Sequence, residues 1–303
     1  MSTEVTTAQG LRHHAVAFGG LVKLSHTVFG LPFALAATAL AHRHAQAAGA
    51  AGLDAWRLVL IVLAFTGARA AAMGYNRIVD RRFDAANPRT ATREIPSGVV
   101  SVRAASVMTV LAAVVFVAAS AALGRVAGLL SLPCLALVLG YSHTKRFSWA
   151  SHLVLGAALS LAPGGAWIAV TGGFDGATVP LLLMAAVATW VAGFDVLYAL
   201  QDEAFDRAHG LHSIPARFGT LGAIVISALL HVGTLAALVL LHRVAQLGSI
   251  HALGIAAIAL VLVAEHAIVR PGDLSKLGRA FFDLNGWISL GYLGTVLLDL
   301  AWA

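Results

Sequence analysis

Long apolar runs separated by short polar connections recur along this chain from residue 20 to its end. An α-helix needs about 20 such residues to cross the hydrocarbon core of a bilayer. The pattern therefore predicts nine spans, near 20–41, 56–79, 99–120, 124–142, 150–171, 178–200, 219–241, 248–269 and 283–302. Gly, Ala and Ser are frequent within them, which blurs the edges of the apolar runs and also permits helices to pack closely.

Composition turns this pattern into a class. Of 303 residues, 59% are apolar and 11% charged, and the mean hydropathy is +0.85. A soluble fold of this length would have to bury almost every segment in one core, which surface-to-volume scaling does not allow. The expected fold is an all-α integral membrane protein with a cytoplasmic N-terminal segment, 1–19, and a single nine-helix domain, 20–303. Segment 1–19 carries Glu4, Arg12, His13 and His14 and has no secretory-signal pattern. The only cysteine, Cys134, lies in an apolar run, so neither a disulfide nor a cysteine metal site is expected.

The net charge of +6 does not point to nucleic acid, because the basic residues are scattered over short loops and form no basic tail or recognition helix. Their distribution follows the positive-inside rule instead. With the N-terminus inside, Arg43, Arg57, Arg125 and Arg243 fall outside and Arg69 falls within a span. Every other Lys and Arg lies on the inner side. The acidic residues Asp80, Asp84, Glu94, Asp202, Glu203 and Asp206 also gather at two inner connections. Carboxylates contribute little to topology, so their position calls for another cause.

The second span runs into Asn76, Asp80 and Asp84, which recur every four residues and line one helical face. The sixth span ends with Asp195, Tyr198, Asp202 and Asp206, which are expected to share one stripe in the same way. Asp80 precedes Asp202 by as many residues as Asp84 precedes Asp206, and each motif follows the second span of a four-span block. Two pseudo-repeated four-helix blocks around a central cavity would bring the four carboxylates together. Such a cluster stays ionised in a low dielectric only beside cations, and magnesium, which takes a few carboxylates together with substrate phosphates, fits best. The plainer alternative is that these aspartates end their helices and pair with Arg77, Arg81, Arg82 and Arg207.

At these residues the chain resembles the UbiA superfamily of intramembrane prenyltransferases, whose pattern is Asn-x-x-x-Asp-x-x-x-Asp followed by a second Asp-x-x-x-Asp. The resemblance extends to Asn87-Pro88-Arg89-Thr90, Arg93 to Gly98, Tyr141 to Arg146 and Ser213 to Gly219. It is nearest the 4-hydroxybenzoate polyprenyltransferase-like set, including members associated with menaquinone made by the futalosine route. Asn76 is followed by Arg77, where many relatives have Asn-Asp; haem O synthases also show Asn-Arg.

The resemblance implies that Asp80, Asp84, Asp202 and Asp206 bind two magnesium ions, that these bridge an isoprenyl diphosphate, and that Asn76 helps to orient it. Arg81, Lys145, Arg146, Arg89 and Arg93 share that side of the membrane and are candidates for the remaining phosphate oxygens. Loss of diphosphate leaves an allylic cation for an aromatic ring carbon to attack. Asp195 and Tyr198, deeper on the stripe, are the candidates for orienting the acceptor or taking its proton. Lys23, His26, Arg69 and Asn285 are candidates for acceptor binding. The expected reaction is prenylation of a hydroxylated aromatic acid in quinone biosynthesis, at the cytoplasmic face of a bacterial-type inner membrane. The alternatives are another acceptor such as haem, or a secondary transporter.

Overall fold

A computed structural model describes residues 19–21, 29–269 and 277–302, with the side chains of 279–281 outside the description. All regular structure among the described residues is helical. The helices are α1 (Leu31–Ala47), α2 (Ala55–Ala86), α3 (Val102–Leu123), α4 (Arg125–Thr144), α5 (Ser151–Thr171) and α6 (Thr178–Tyr198). A 3₁₀ turn (Ala199–Asp202) and the short α7 (Glu203–Ala208) follow, and then α8 (Ile214–Val244), α9 (Ser249–Ile268) and α10 (Leu277–Trp302).

By length and composition, seven of the described helical segments are able to cross a membrane: α2, α3, α4, α5, α6 continued to Ala208, α8 and α9. Their outward faces carry large apolar side chains, among them Leu221 at 73% and Leu260 at 72% exposure. These are faces for lipid. α1 is shorter than the expected first span and α10 carries Asn285 and Asp299; residues 22–28 lie outside the described residues.

Local chemistry sets several helix ends. Asp54 Oδ1 accepts the Arg57 amide at the start of α2, Ser101 Oγ that of Ala104 at α3, and Ser213 Oγ that of Ala216 at α8. Each satisfies an amide that the first turn leaves without a helical partner. α5 stops at Gly172 in the left-handed region, φ 78°. The run expected to begin at 219 begins at Ile214, with a break at Gly219 (φ 72°, ψ 176°).

The core runs along α1, α5, α6, α8, α9 and α10, with Phe33, Trp167, Trp190 and Tyr292 buried at its centre. The motif-bearing helices each pack extensively on the next long helix, α2 on α3 and α6 on α8, and α6 also packs on α5. Close approach depends on glycine. A Cβ at Gly67 would lie 2.9 Å from the Ala112 carbonyl oxygen of α3, and one at Gly156 would lie 2.2 Å from the Ala188 carbonyl oxygen of α6.

One expectation is corrected. The stripe Asp195, Tyr198, Asp202, Asp206 is not carried by one continuous α-helix, because α6 ends at Tyr198 and tightens into the 3₁₀ turn before Asp202. Asp202 is held there by Asn87 and Arg89 from the connection after α2. Those tertiary contacts accompany the departure from α-helical periodicity.

Gly156→Val is expected to force α5 and α6 apart, at a cost of about 1–3 kcal/mol, and to lower the unfolding temperature in detergent. Gly140→Ala, where an added Cβ meets nothing within 4 Å, should leave it unchanged or raise it slightly.

Candidate functional site

The long α2 continues through Asn76, Asp80 and Asp84, so these three keep the shared face that their spacing predicts. Asn76 Nδ2 donates to Asp80 Oδ2 at 2.9 Å. Asp84 is buried, and Thr90 Oγ1 returns to its backbone carbonyl. Asp202 closes the 3₁₀ turn and Asp206 lies on α7, both buried.

Every one of the four carboxylates has its own basic partner. Arg146 Nη2 lies 3.2 Å from Asp80 Oδ1, Arg93 Nη1 2.6 Å from Asp84 Oδ1, and Lys145 Nζ 2.9 Å from Asp206 Oδ1. Arg89 meets Asp202 with two nitrogens, Nε at 3.0 Å and Nη2 at 2.5 Å. Such two-point contact is the strong geometry for a guanidinium. Partial burial disfavours the Arg89 charge and is the largest single influence, but the hydrogen bond and charge of Asp202, with the attraction of Tyr198 and Asp84, together outweigh it and hold the pKa above the ordinary value.

These pairs join the two motifs. Lys145 and Arg146 are adjacent in the connection after α4; one reaches Asp206 of the second motif and the other Asp80 of the first. Arg89 and Asn87, a few residues after the first motif, bind Asp202 of the second. The two acidic helix ends are thereby tied to one another through two independent connections.

Lys145, Arg146, Arg89 and Arg93, all expected at the phosphate site, are found at the carboxylates. Arg81 is not among them, and its Nη1 donates to the Ile78 carbonyl of its own helix. Arg77, set down in the plainer reading as a partner for these aspartates, is buried with Nη1 4.0 Å from Asp84 Oδ2. Asn87 enters as a ligand to Asp202 that spacing alone did not single out. It stood only within the quoted Asn-Pro-Arg-Thr stretch.

A cavity of about 1200 Å³ adjoins this cluster. Its polar wall includes Arg69, Asn76, Arg77, Tyr141, Asp195 and Tyr198, and the remainder is dominated by Ala, Leu, Phe and other apolar side chains. Tyr198 Oη accepts from Arg89 Nη1 at 3.2 Å, so one guanidinium touches both the second motif and the cavity wall. Asp195 pairs with His152, Nδ1 to Oδ2 at 2.6 Å. Arg69 Nε is buried and has no hydrogen-bond partner among the described residues. Asn285 lines the cavity, but its amide is engaged within the protein: Trp190 Nε1 donates to its Oδ1 at 2.8 Å and its Nδ2 donates to Glu265 Oε1 at 2.7 Å. Lys23 and His26 lie outside the described residues.

The residues present suit a hard divalent cation. The donor set is all oxygen, and the buried Oδ2 atoms of Asp84 and Asp206 lack hydrogen-bond partners. Among the described residues no three His, Cys, Asp or Glu side chains form a ready-made cage. Magnesium asks for no such cage, being held by few carboxylates with water and phosphate completing its shell.

Comparison with known proteins agrees in fold and family. The model of the UbiA prenyltransferase family matches residues 24–288. The 4-hydroxybenzoate octaprenyltransferase of Methylococcus capsulatus is 30% identical over 244 residues, covering 80% of this chain and 82% of that protein. The apo structure of a UbiA homolog from Aeropyrum pernix K1 superposes with a TM-score of 0.80 at 33% identity, covering 91% of this chain and 98% of that one. A UbiA homolog from Archaeoglobus fulgidus bound to GPP and Mg2+ shares the fold, with a TM-score of 0.72 at 18% identity over 94% of this chain and 99% of that one.

Lys145→Gln leaves the Asp206 carboxylate, 1% exposed, without its cation. The expected loss in metal-free buffer is about 1–3 kcal/mol, read as a lower unfolding temperature. Millimolar magnesium should restore more stability to the variant than to the parent protein. Equal response of the two would separate Lys145 from the carboxylate cluster.

Proposed function

The chain belongs to the UbiA prenyltransferase family, and we propose that it transfers a polyprenyl group from an isoprenyl diphosphate to a hydroxylated aromatic acid of the 4-hydroxybenzoate or dihydroxynaphthoate type, with magnesium as cofactor, in quinone biosynthesis. The observation that carries this reading is the junction of two aspartate motifs by Lys145 and Arg146 beside a large, mainly apolar cavity whose wall includes Asn76, Arg93 and Tyr198, each bonded to a residue of that cluster. An amphiphilic donor, anionic at one end and hydrocarbon at the other, is the complement of that surface. The name of the Methylococcus capsulatus relative supports the acceptor class, and the ligands of the Archaeoglobus fulgidus homolog support an isoprenyl diphosphate with magnesium.

In this reading Asp80, Asp84, Asp202 and Asp206 would hold two magnesium ions, with Asn76 steadying Asp80. The bound metal would supply charge neutralisation for the diphosphate and for its departure as a leaving group. Lys145, Arg146, Arg89 and Arg93 would turn from the carboxylates to the phosphate oxygens. The allylic carbon–oxygen bond breaks with its electron pair on the diphosphate, a ring carbon of the acceptor forms the new carbon–carbon bond, and the ring then loses a proton. Tyr198 presents an aromatic face near the nascent cation, Asp195 a carboxylate for the acceptor hydroxyl or the departing proton, and Arg69 a cation for the acceptor carboxylate. The apolar wall keeps water from the allylic cation and accommodates the prenyl chain.

The proposed setting is the inner membrane of a bacterium, with nine spans in two pseudo-repeated blocks and both the N-terminus and the site facing the cytoplasm. Positive charge gathered at the inner ends of the predicted spans supports that orientation.

Asp80→Ala and Asp202→Ala are each expected to lower turnover by about 100-fold or more, while the variants still insert and purify as the parent does. The assay is mass spectrometry of product from membranes given geranyl diphosphate and a panel of phenolic acids. EDTA should stop product formation and added magnesium should restore it; undiminished turnover after thorough demetallation contradicts the metal assignment.

A further inference from the structure

Asp195 is a carboxylate in the wall of a mainly apolar cavity, seven residues before Asp202 and on the regular part of α6. A charge in such a place needs a partner. The partner is His152, from the first turn of α5, whose Nδ1 lies 2.6 Å from Asp195 Oδ2. The His152 side chain is 4% exposed and that of Asp195 27%, so the imidazole stands behind the carboxylate and the carboxylate faces the cavity.

The proton on this bond can be assigned from hydrogen-bond chemistry. An ionised carboxylate only accepts, so Nδ1 must be the protonated nitrogen. Nε2 of His152 is buried and has no partner. A proton there would be an unsatisfied donor, whereas a bare lone pair costs less, so the surroundings favour the proton on Nδ1. The approach of the two helices is itself built in. Gly156, one turn after His152, has no Cβ to strike the Ala188 carbonyl of α6, and that contact brings the imidazole within reach of Asp195.

We propose that His152 is a positioning residue for the aromatic acceptor half of the reaction, holding the Asp195 carboxyl group in one orientation so that its other oxygen serves the acceptor. This rests on the prenyltransferase reading above and deepens it. When the ring carbon has bonded to the allylic carbon and the diphosphate has left with the carbon–oxygen electron pair, the ring C–H bond breaks. Its electron pair returns to the ring and the proton goes to the Asp195 oxygen not engaged by His152. His152 keeps its Nδ1–H throughout and takes no proton. Its contribution is geometric: the 2.6 Å bond from Nδ1 to Oδ2 fixes which Asp195 oxygen is left for the acceptor.

The test compares three variants of the full-length enzyme in membranes, with geranyl diphosphate and whichever of 4-hydroxybenzoate or 1,4-dihydroxy-2-naphthoate yields product. An Asn side chain places an amide N–H near the Nδ1 position, a Gln places it near Nε2, and a Leu supplies none. His152→Leu and His152→Gln are expected to lower kcat about 10–100-fold, the range seen when an outer partner of an active group is lost. The KM for the donor should not move, and slow diphosphate release without acceptor should be retained, which reports that the other half of the site is folded. His152→Asn should recover most of the lost kcat. Parent-like kcat in His152→Leu, no advantage of Asn over Gln and Leu, or parallel loss of acceptor-independent diphosphate release would each overturn the positioning role. No prenylated aromatic product from the parent enzyme would instead overturn the reading on which the role rests.

Discussion

The constraint on which this site depends is charge compensation at two helix ends. Two like charges about 4 Å apart repel by about 4 kcal/mol at an effective dielectric of about 20, and burial makes an uncompensated carboxylate costlier still. The fold meets this by giving Asp80, Asp84, Asp202 and Asp206 each a different basic neighbour. Because those neighbours come from the connections after α2 and α4, compensation also becomes tertiary structure. The loop cations hold the motifs together where the helices alone would let them separate.

The same pairing bears on how such a site takes an anionic donor. On the proposed reading, a diphosphate brings negative charge for Lys145, Arg146, Arg89 and Arg93, and its accompanying cations bring positive charge for the carboxylates those residues release. The exchange gives each set a new source of opposite charge, so neither has to be left wholly bare inside the protein. Arg89 is the side chain with the most to rearrange, being bonded to both Asp202 and Tyr198. Its movement would couple the diphosphate end to the cavity wall where the ring is expected to lie.

How much of this was legible in the sequence follows from the range of the forces involved. The helical class and most helix positions follow from hydropathy, because crossing lipid imposes the same length and apolarity on every span. Asn76, Asp80 and Asp84 could be placed on one face because α2 is regular through Ala86. Asp202 could not be placed by the same rule, since contacts from Asn87 and Arg89, more than a hundred residues earlier, accompany the change to a 3₁₀ turn. Arg81 looked equivalent to Arg89 and Arg93 by charge and side of the membrane, yet it is one residue from Asp80. On a helix that places it about 100° around from the acidic face. His152 gave no signal: a single histidine at the start of an apolar run looks interfacial until Asp195 is found 2.6 Å away.

The break in the second motif gives the two halves of the site different mechanical characters. Asn76, Asp80 and Asp84 ride on an uninterrupted helix that packs closely on α3, with Gly67 admitting the α3 backbone. Asp202 closes, and Asp206 stands beyond, a 3₁₀ turn, a geometry with weaker hydrogen bonds than the α-helix and a frequent place for hinges. Asp195 lies before that turn, on regular α6, with His152 of α5 against it. A shift of the second motif toward a bound diphosphate would therefore be absorbed at Ala199–Asp202 and would not be passed to Asp195. Under the proposed reading, the second motif's share of leaving-group binding is given to an adjustable element, and acceptor alignment to the regular part of α6. That division suits a reaction in which a long, variable hydrocarbon donor must be accommodated while one ring carbon is held to a single attack geometry.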